Sequence, residues 1–132
     1  MSVPITCHVL NTLSGTPASN LAAELTLLEP TPLAGSRERC PTQFSAITNE
    51  DGRVTEWKPE GNKILQEVFG EYQDGERIAW SINFLVGPWY EAQGIESFWP
   101  EVEVKFYVTK GQRHYHVPVL VGPWTYTTYR GS

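Results

Sequence analysis

Three histidines, one arginine behind a tight turn, and a polar run at the C-terminal end are the side chains of this chain that could do chemistry. His114 and His116 stand two apart in His114-Tyr115-His116-Val117-Pro118-Val119-Leu120-Val121, an alternating segment that reads as a strand. Spacing of two on a strand turns both imidazoles to one face. Such a pair can exchange protons near neutral pH or hold one metal ion between its rings. His8 lies in Cys7-His8-Val9-Leu10-Asn11 and reads either as a hydrogen-bonded structural histidine or as an acid–base group. Arg53 follows Asp51-Gly52 directly. It is either a solvated strand-edge residue or a fixed fork of donors for an anionic or urea-like substrate. Tyr129-Arg130-Gly131-Ser132 comes straight after a strand-like Thr125 to Thr128. A terminus carried on a strand can hold Tyr129, Arg130, and the Ser132 hydroxyl and carboxylate at fixed positions. A frayed one leaves them in solvent.

Other chemistries find little support. A zinc site on His114 and His116 needs a third and a fourth ligand, and no Cys-x-x-Cys, His-Glu-x-x-His or acidic loop supplies them. The sequence has no Gly-rich phosphate loop and no Gly-x-Ser-x-Gly elbow. Glu101 and Glu103 read as a solvated face, and the five tryptophans as core and interface material. Cys7 and Cys40 could form one disulfide, but two cysteines are no framework in a chain of 132 residues, so free thiols in a reducing compartment are expected. Cys7 is disfavoured as a nucleophile activated by His8, because adjacent strand residues point to opposite faces.

The elements that must position these groups are short strands. Val3 to Leu10 alternates, and Ser14-Gly15 marks a turn between it and Leu21 to Leu28, whose Leu21, Ala23, Leu25 and Leu27 share a face. A loop from Pro30 to Pro41 leads to a strand at Gln43 to Thr48, and Asn49-Glu50-Asp51-Gly52 is a turn with the Asp-Gly signature. The stretch 58–77 is hard to read, apart from a helical turn suggested at Ile64 to Phe69. Ile78 to Val86 is an apolar strand. Gly87 to Gly94 has room for one or two helical turns, and Val102 to Thr109 alternates as a half-buried strand. Gly122-Pro123 turns the chain into its last strand. About eight strands with one short helix and no repeat predict an all-β two-sheet sandwich forming a single domain over 1–132. The composition, 40% hydrophobic and 19% charged, is that of a globular chain. A net charge of −5 argues against a nucleic-acid partner. The apolar runs are too short for a membrane helix, and no secretory leader precedes Pro4. The chain does not end in Ser-Lys-Leu. Cytoplasm is the expected compartment, with the peroxisome as the other.

Four separated segments then fall into a familiar order: His8-Val9-Leu10-Asn11 with Ser14-Gly15-Thr16-Pro17-Ala18; Thr48-Asn49-Glu50-Asp51-Gly52-Arg53-Val54; Tyr90-Glu91-Ala92-Gln93-Gly94 with Pro100-Glu101-Val102; and His114 to Pro118 with the terminal Tyr129-Arg130-Gly131-Ser132. Together they closely resemble the transthyretin-like family, on its 5-hydroxyisourate hydrolase side. The match runs over nearly the whole chain and is weakest at Pro30 to Pro41 and Lys58 to Arg77. The terminal Tyr-Arg-Gly-Ser is its most specific element, absent from the hormone carriers of the same fold. The resemblance implies hydrolysis of a ring amide in 5-hydroxyisourate, giving 2-oxo-4-hydroxy-4-carboxy-5-ureidoimidazoline, with no cofactor. It also implies a homotetramer, a dimer of dimers, with sites in a channel between dimers. Its functional residues map onto His8, Arg53, His116 and Ser132, with Tyr129 touching substrate; the role of His114 stays open. A small-molecule carrier of the same fold and a zinc-binding sandwich are the readings from other classes.

Overall fold

Alternation along each strand is what divides this chain into two faces. In the computed structural model, which describes residues 4–28, 42–111 and 114–132, the first strand β1, Ile5–Asn11, buries Ile5, Cys7, Val9 and Asn11 and turns Thr6, His8 and Leu10 outward. It is followed by β2, Thr16–Pro17; β3, Ala22–Leu27; β4, Gln43–Ile47; β5, Arg53–Val54; and β6, Lys58–Pro59. Helix α1, Leu65–Phe69, then precedes β7, Arg77–Phe84, and α2, Val86–Glu91. The order closes with β8, Val102–Thr109; β9, Tyr115–Val121; and β10, Tyr126–Thr128. The strand expectations from 43 onward hold to within two residues at each end.

Ten strands and two helices, not about eight and one, are present among the described residues. Three of the strands, β2, β5 and β6, are two residues long, too short to leave a periodic signal. The second helix is α1, where the sequence suggests a helical turn at Ile64 to Phe69 within an otherwise hard-to-read stretch. It forms because Leu65 and Val68 bury one side of a single turn while the Glu67 carboxylate accepts from the Ile64 N–H at 3.0 Å. The loop expected at Pro30 to Pro41, and Cys40 within it, lie outside the described residues. Cys7 is a free, buried thiol. Burial pushes it up to about 12, a protonated and unreactive state.

The strands form two sheets. One is ordered β6-β4-β3-β7-β8 and antiparallel throughout; the other is ordered β10-β9-β1-β2, with β5 also on β1. At the centre of the second sheet β1 and β9 run parallel, with Thr6 opposite His116 and His8 opposite Pro118. Between the sheets lie Trp80, Phe44, Phe84, Leu25, Ile82, Val9 and Val119, all at most 1% exposed. Buried side chains of this size each contribute on the order of 1.5–3 kcal/mol relative to exposure. Tyr90 of α2 reaches into this core, and its hydroxyl sits 2.6 Å from Asn11 Oδ1 and 3.2 Å from the Val121 carbonyl. That contact ties α2 to both parallel strands. Among the described residues no helix is long and apolar enough to cross a membrane.

Candidate active site

The outer face of the β9–β1–β5 sheet collects the side chains that could do chemistry, and each arrives by a local cause. Arg53 is placed by the turn before it. The Asn49 side-chain oxygen accepts from the backbone N–H groups of Asp51 (2.9 Å) and Arg53 (3.0 Å), and the Asn49 N–H donates to the Arg53 carbonyl at 3.0 Å. Gly52 completes the turn with φ +75, a left-handed conformation that favours glycine. A Cβ at Gly52 would also collide with the Val9 carbonyl oxygen. Its own carbonyl accepts from the Val9 N–H at 2.8 Å, locking β5 against β1 in a register that sets Arg53 opposite His8. Residues opposed in this way carry their Cβ atoms about 4.5–5.5 Å apart on one face. The Trp57 ring nitrogen donates to the Ile5 carbonyl at 2.8 Å and pins the chain after β5 to the start of β1.

The same turn fixes His8. Its Nε2 lies 2.9 Å from the Asp51 carbonyl oxygen, and a carbonyl only accepts, so Nε2 carries the proton and Nδ1 the lone pair in the neutral ring. Across β1, His116 Nδ1 lies 2.8 Å from the Thr6 hydroxyl, and His114 Nε2 lies 3.1 Å from the same oxygen. The two rings are nearly parallel, with centroids 6.3 Å apart, as their common face requires. His116 is half-buried and its pKa is lowered from 6.5. Burial is the leading cause, followed by the positive charge of Arg53 and then of His114 and His8. The neutral imidazole, the form able to take a proton, is thereby favoured.

The chain end closes the site. Beyond β10, the Gly131 N–H donates to the His116 carbonyl at 2.9 Å, on the register that pairs Tyr126 with Val121. The tail thus continues the ladder past its last formal strand residue. It covers Pro118, which is buried although it stands on the outer face. The Thr128 hydroxyl donates to the Pro118 carbonyl at 2.8 Å. Glycine is required by contact here, because a Cβ at position 131 would fall 2.7 Å from His116 Cδ2 and 2.9 Å from Pro118 Cγ. A cleft of about 240 Å³ results, lined by Thr6, Arg53, Thr55, His114, His116 and Ser132 among others.

Of the expected site residues, Arg53, His116 and Ser132 therefore share one cleft with His114. His8 stands beside it, opposite Arg53. Tyr129 does not line this cleft. It is 58% exposed and borders a neighbouring one of about 330 Å³, where His116 is the wall common to both. Arg130 lies over the Tyr115 ring at 4.8 Å. Sequence reading passed over Thr6 and Asn49. Thr6 is two before His8 and shares its face, which period two signals. Its partners on β9 follow only from the parallel register.

A family model described as HIUase/Transthyretin family matches residues 5–131. The chain belongs to this family. A mouse protein named 5-hydroxyisourate hydrolase is 37% identical over 131 residues, covering 99% of this chain and 97% of that one. A fission-yeast protein, Schizosaccharomyces pombe, named probable 5-hydroxyisourate hydrolase, is 34% identical over 97% of this chain and 90% of its own. Among solved structures, the 5-hydroxyisourate hydrolase of Klebsiella pneumoniae superposes with a TM-score of 0.67 at 26% identity, covering all of both chains. The transthyretin of Sparus aurata reaches a TM-score of 0.71 at 20% identity, over 97% of this chain and 96% of its own, a likeness of fold. This member of the HIUase/Transthyretin family has the two-sheet transthyretin-like sandwich expected from its sequence.

Proposed function

We propose that this protein is a 5-hydroxyisourate hydrolase that opens the cyclic amide by histidine-assisted attack of water, with Arg53 polarising or orienting the substrate. The observation that carries this reading is the convergence of Arg53, His114, His116 and Ser132 from three separate segments on one cleft, with His8 against Arg53. The names of the full-length relatives from mouse and Klebsiella support the substrate.

The step needs a base for water, a cation or donor for the oxyanion, and a proton for the departing nitrogen. His116, biased towards neutrality by burial and by the charge of Arg53, is suited to take the proton from water. The hydroxide oxygen then bonds to the ring carbonyl carbon while the guanidinium of Arg53 offers its donors to the developing oxyanion. The C–N bond breaks as the nitrogen receives a proton. Histidine returns the proton it took, so the catalyst ends as it began. The product would be 2-oxo-4-hydroxy-4-carboxy-5-ureidoimidazoline, and no step calls on a metal or other cofactor. Ser132 orients water or passes a proton at the cleft wall, and Tyr129 contacts substrate from the adjoining cleft. A carrier on the same fold needs none of these titratable groups at its ligand.

The cleft is smaller than the roughly 300–1,000 Å³ usual for ligand sites, which fits completion by a second copy in a homotetramer. Exposed Leu13, Phe98 and Trp124 offer apolar surface for such assembly. The decisive experiment follows the absorbance of freshly generated 5-hydroxyisourate, corrected for spontaneous decay, with sedimentation of the same sample. Accelerated decay by a tetramer is expected. Decay at the spontaneous rate, with a small molecule bound unchanged, would favour the carrier.

A further inference from the structure

One hydroxyl touches two of the three histidines. Thr6 Oγ1 is 2.8 Å from His116 Nδ1 and 3.1 Å from His114 Nε2. A threonine hydroxyl has a single proton to donate and lone pairs to accept with. With both rings neutral it can donate to one imidazole only, so the other must donate to it. The tautomers of His114 and His116 are therefore linked through one atom. Thr6 is held firmly enough to do this: it pairs with His116 of β9, β5 joins the other edge of β1 from the next residue, Cys7, and the buried neighbours Ile5 and Cys7 anchor it from beneath. Its β-branched side chain has restricted χ1 freedom, which fixes the direction of the hydroxyl.

We infer that Thr6 is a positioning residue for the hydrolytic reaction: its hydroxyl accepts from His116 Nδ1–H and donates to His114 Nε2, leaving the His116 Nε2 lone pair as the base. This inference rests on the proposed hydrolysis, which requires His116 to begin as an acceptor. The opposite orientation, with the hydroxyl donating to His116 Nδ1, would put the proton on Nε2 and make His116 a donor. When His116 takes a proton from water, the imidazolium keeps its Nδ1–H bond to Thr6. His114 is exposed and reached through the same hydroxyl. It offers a relay for the other ring proton: the His116 Nδ1 proton passes to Thr6 Oγ1 as the Thr6 proton passes to His114 Nε2. The proton taken from water stays on His116 Nε2 for the departing nitrogen, and reversal of the relay restores both rings. Thr6 lines the cleft, and both side-chain contacts of its hydroxyl go to histidines. Its contribution falls on proton transfer, in kcat.

The test uses Thr6→Val, which keeps shape and strand propensity but lacks the hydroxyl, and Thr6→Ser, which restores it. Two readouts are needed. Nitrogen-15 NMR of the imidazoles reports the tautomer of His116 without substrate, and steady-state kinetics on fresh 5-hydroxyisourate separates kcat from KM. In the parent protein His116 is expected as the Nδ1–H tautomer. In Thr6→Val that tautomer is lost and kcat falls about tenfold to a hundredfold, the scale of a mispositioned acid–base group. KM is expected to stay within about twofold, and Thr6→Ser to recover most of the rate. An Nε2–H tautomer in the parent, or a Thr6→Val protein with parental kcat and unchanged imidazole signals, would overturn the inference. A parent protein that does not accelerate decay at all would instead remove the hydrolase reading, while the NMR result still decides whether Thr6 sets the tautomer.

Discussion

Gly131→Ala adds one methyl group and should separate a catalytic chain end from a decorative one. The backbone at Gly131 lies outside the left-handed region, so alanine meets no conformational strain and the whole effect is contact. Its Cβ would sit 2.7 Å from His116 Cδ2, 2.9 Å from Pro118 Cγ and 3.1 Å from Pro118 Cδ, against 3.4–4 Å for ordinary contact. The methyl must therefore retreat by about 0.7 Å from the imidazole edge, the gap between its contact distance and the shortest ordinary one. Two movements allow this. The tail can lift, stretching the Gly131 N–H bond to the His116 carbonyl from 2.9 Å. Alternatively the imidazole can turn, breaking its 2.8 Å contact with Thr6. Either loses a hydrogen bond worth about 0.5–1.5 kcal/mol net, a small part of a total stability of about 5–15 kcal/mol. The fold should survive, with a melting temperature lower by only a few degrees, roughly 2–8 °C per kcal/mol for domains bracketing this size. Catalysis should suffer more, because a displacement near 1 Å of a reacting group can cost about a hundredfold. The expectation is a kcat down by about ten- to a hundredfold with circular dichroism unchanged, measured by decay of fresh 5-hydroxyisourate. Turnover within about twofold of the parent would show that the tail's fit against His116 is irrelevant to the chemistry.

His8→Ala, Arg53→Ala and His116→Ala should each lower turnover by about a hundredfold or more while the fold persists, and His114→Ala should be milder. Near-parental rates in both His8→Ala and His116→Ala, with an intact spectrum, would remove histidine from the mechanism. The titration of His116 gives a separate test, read from its ring-proton shifts. Its folded pKa is below 6.5, so between that value and 6.5 the unfolded chain binds more protons than the native one, and stability rises with pH. The contribution is complete above 6.5 and is lost as pH falls through the folded value. The acid limb of kcat/KM should likewise lie below 6.5. Arg53→Ala removes one opposing positive charge and should move the His116 titration upward. A parent His116 titrating above 6.5 would contradict the burial and charge arrangement.

Much of this protein was legible in its sequence because the signals are local. Alternation marked β1, β3, β8 and β9, since a strand with one face in a core must repeat every two residues, and a mostly apolar run marked β7. Asp51-Gly52 announced the turn that delivers Arg53, because few residues accept a φ of +75. Opposite faces for Cys7 and His8, and a common face for His114 and His116, follow from the same period of two. Tertiary structure alone decided the rest. The parallel pairing of β1 with β9 joins residues more than a hundred positions apart, and only that register brings Thr6 between His114 and His116. Strands β5 and β6 exist by pairing with longer neighbours and leave no pattern of their own. Tyr129 and Ser132 are three apart in sequence, yet the tail carries only the second into the histidine cleft. Sequence period fixes which face a side chain takes; which faces meet is fixed by pairings between distant segments, formed where burying both sheets in one core is most favourable.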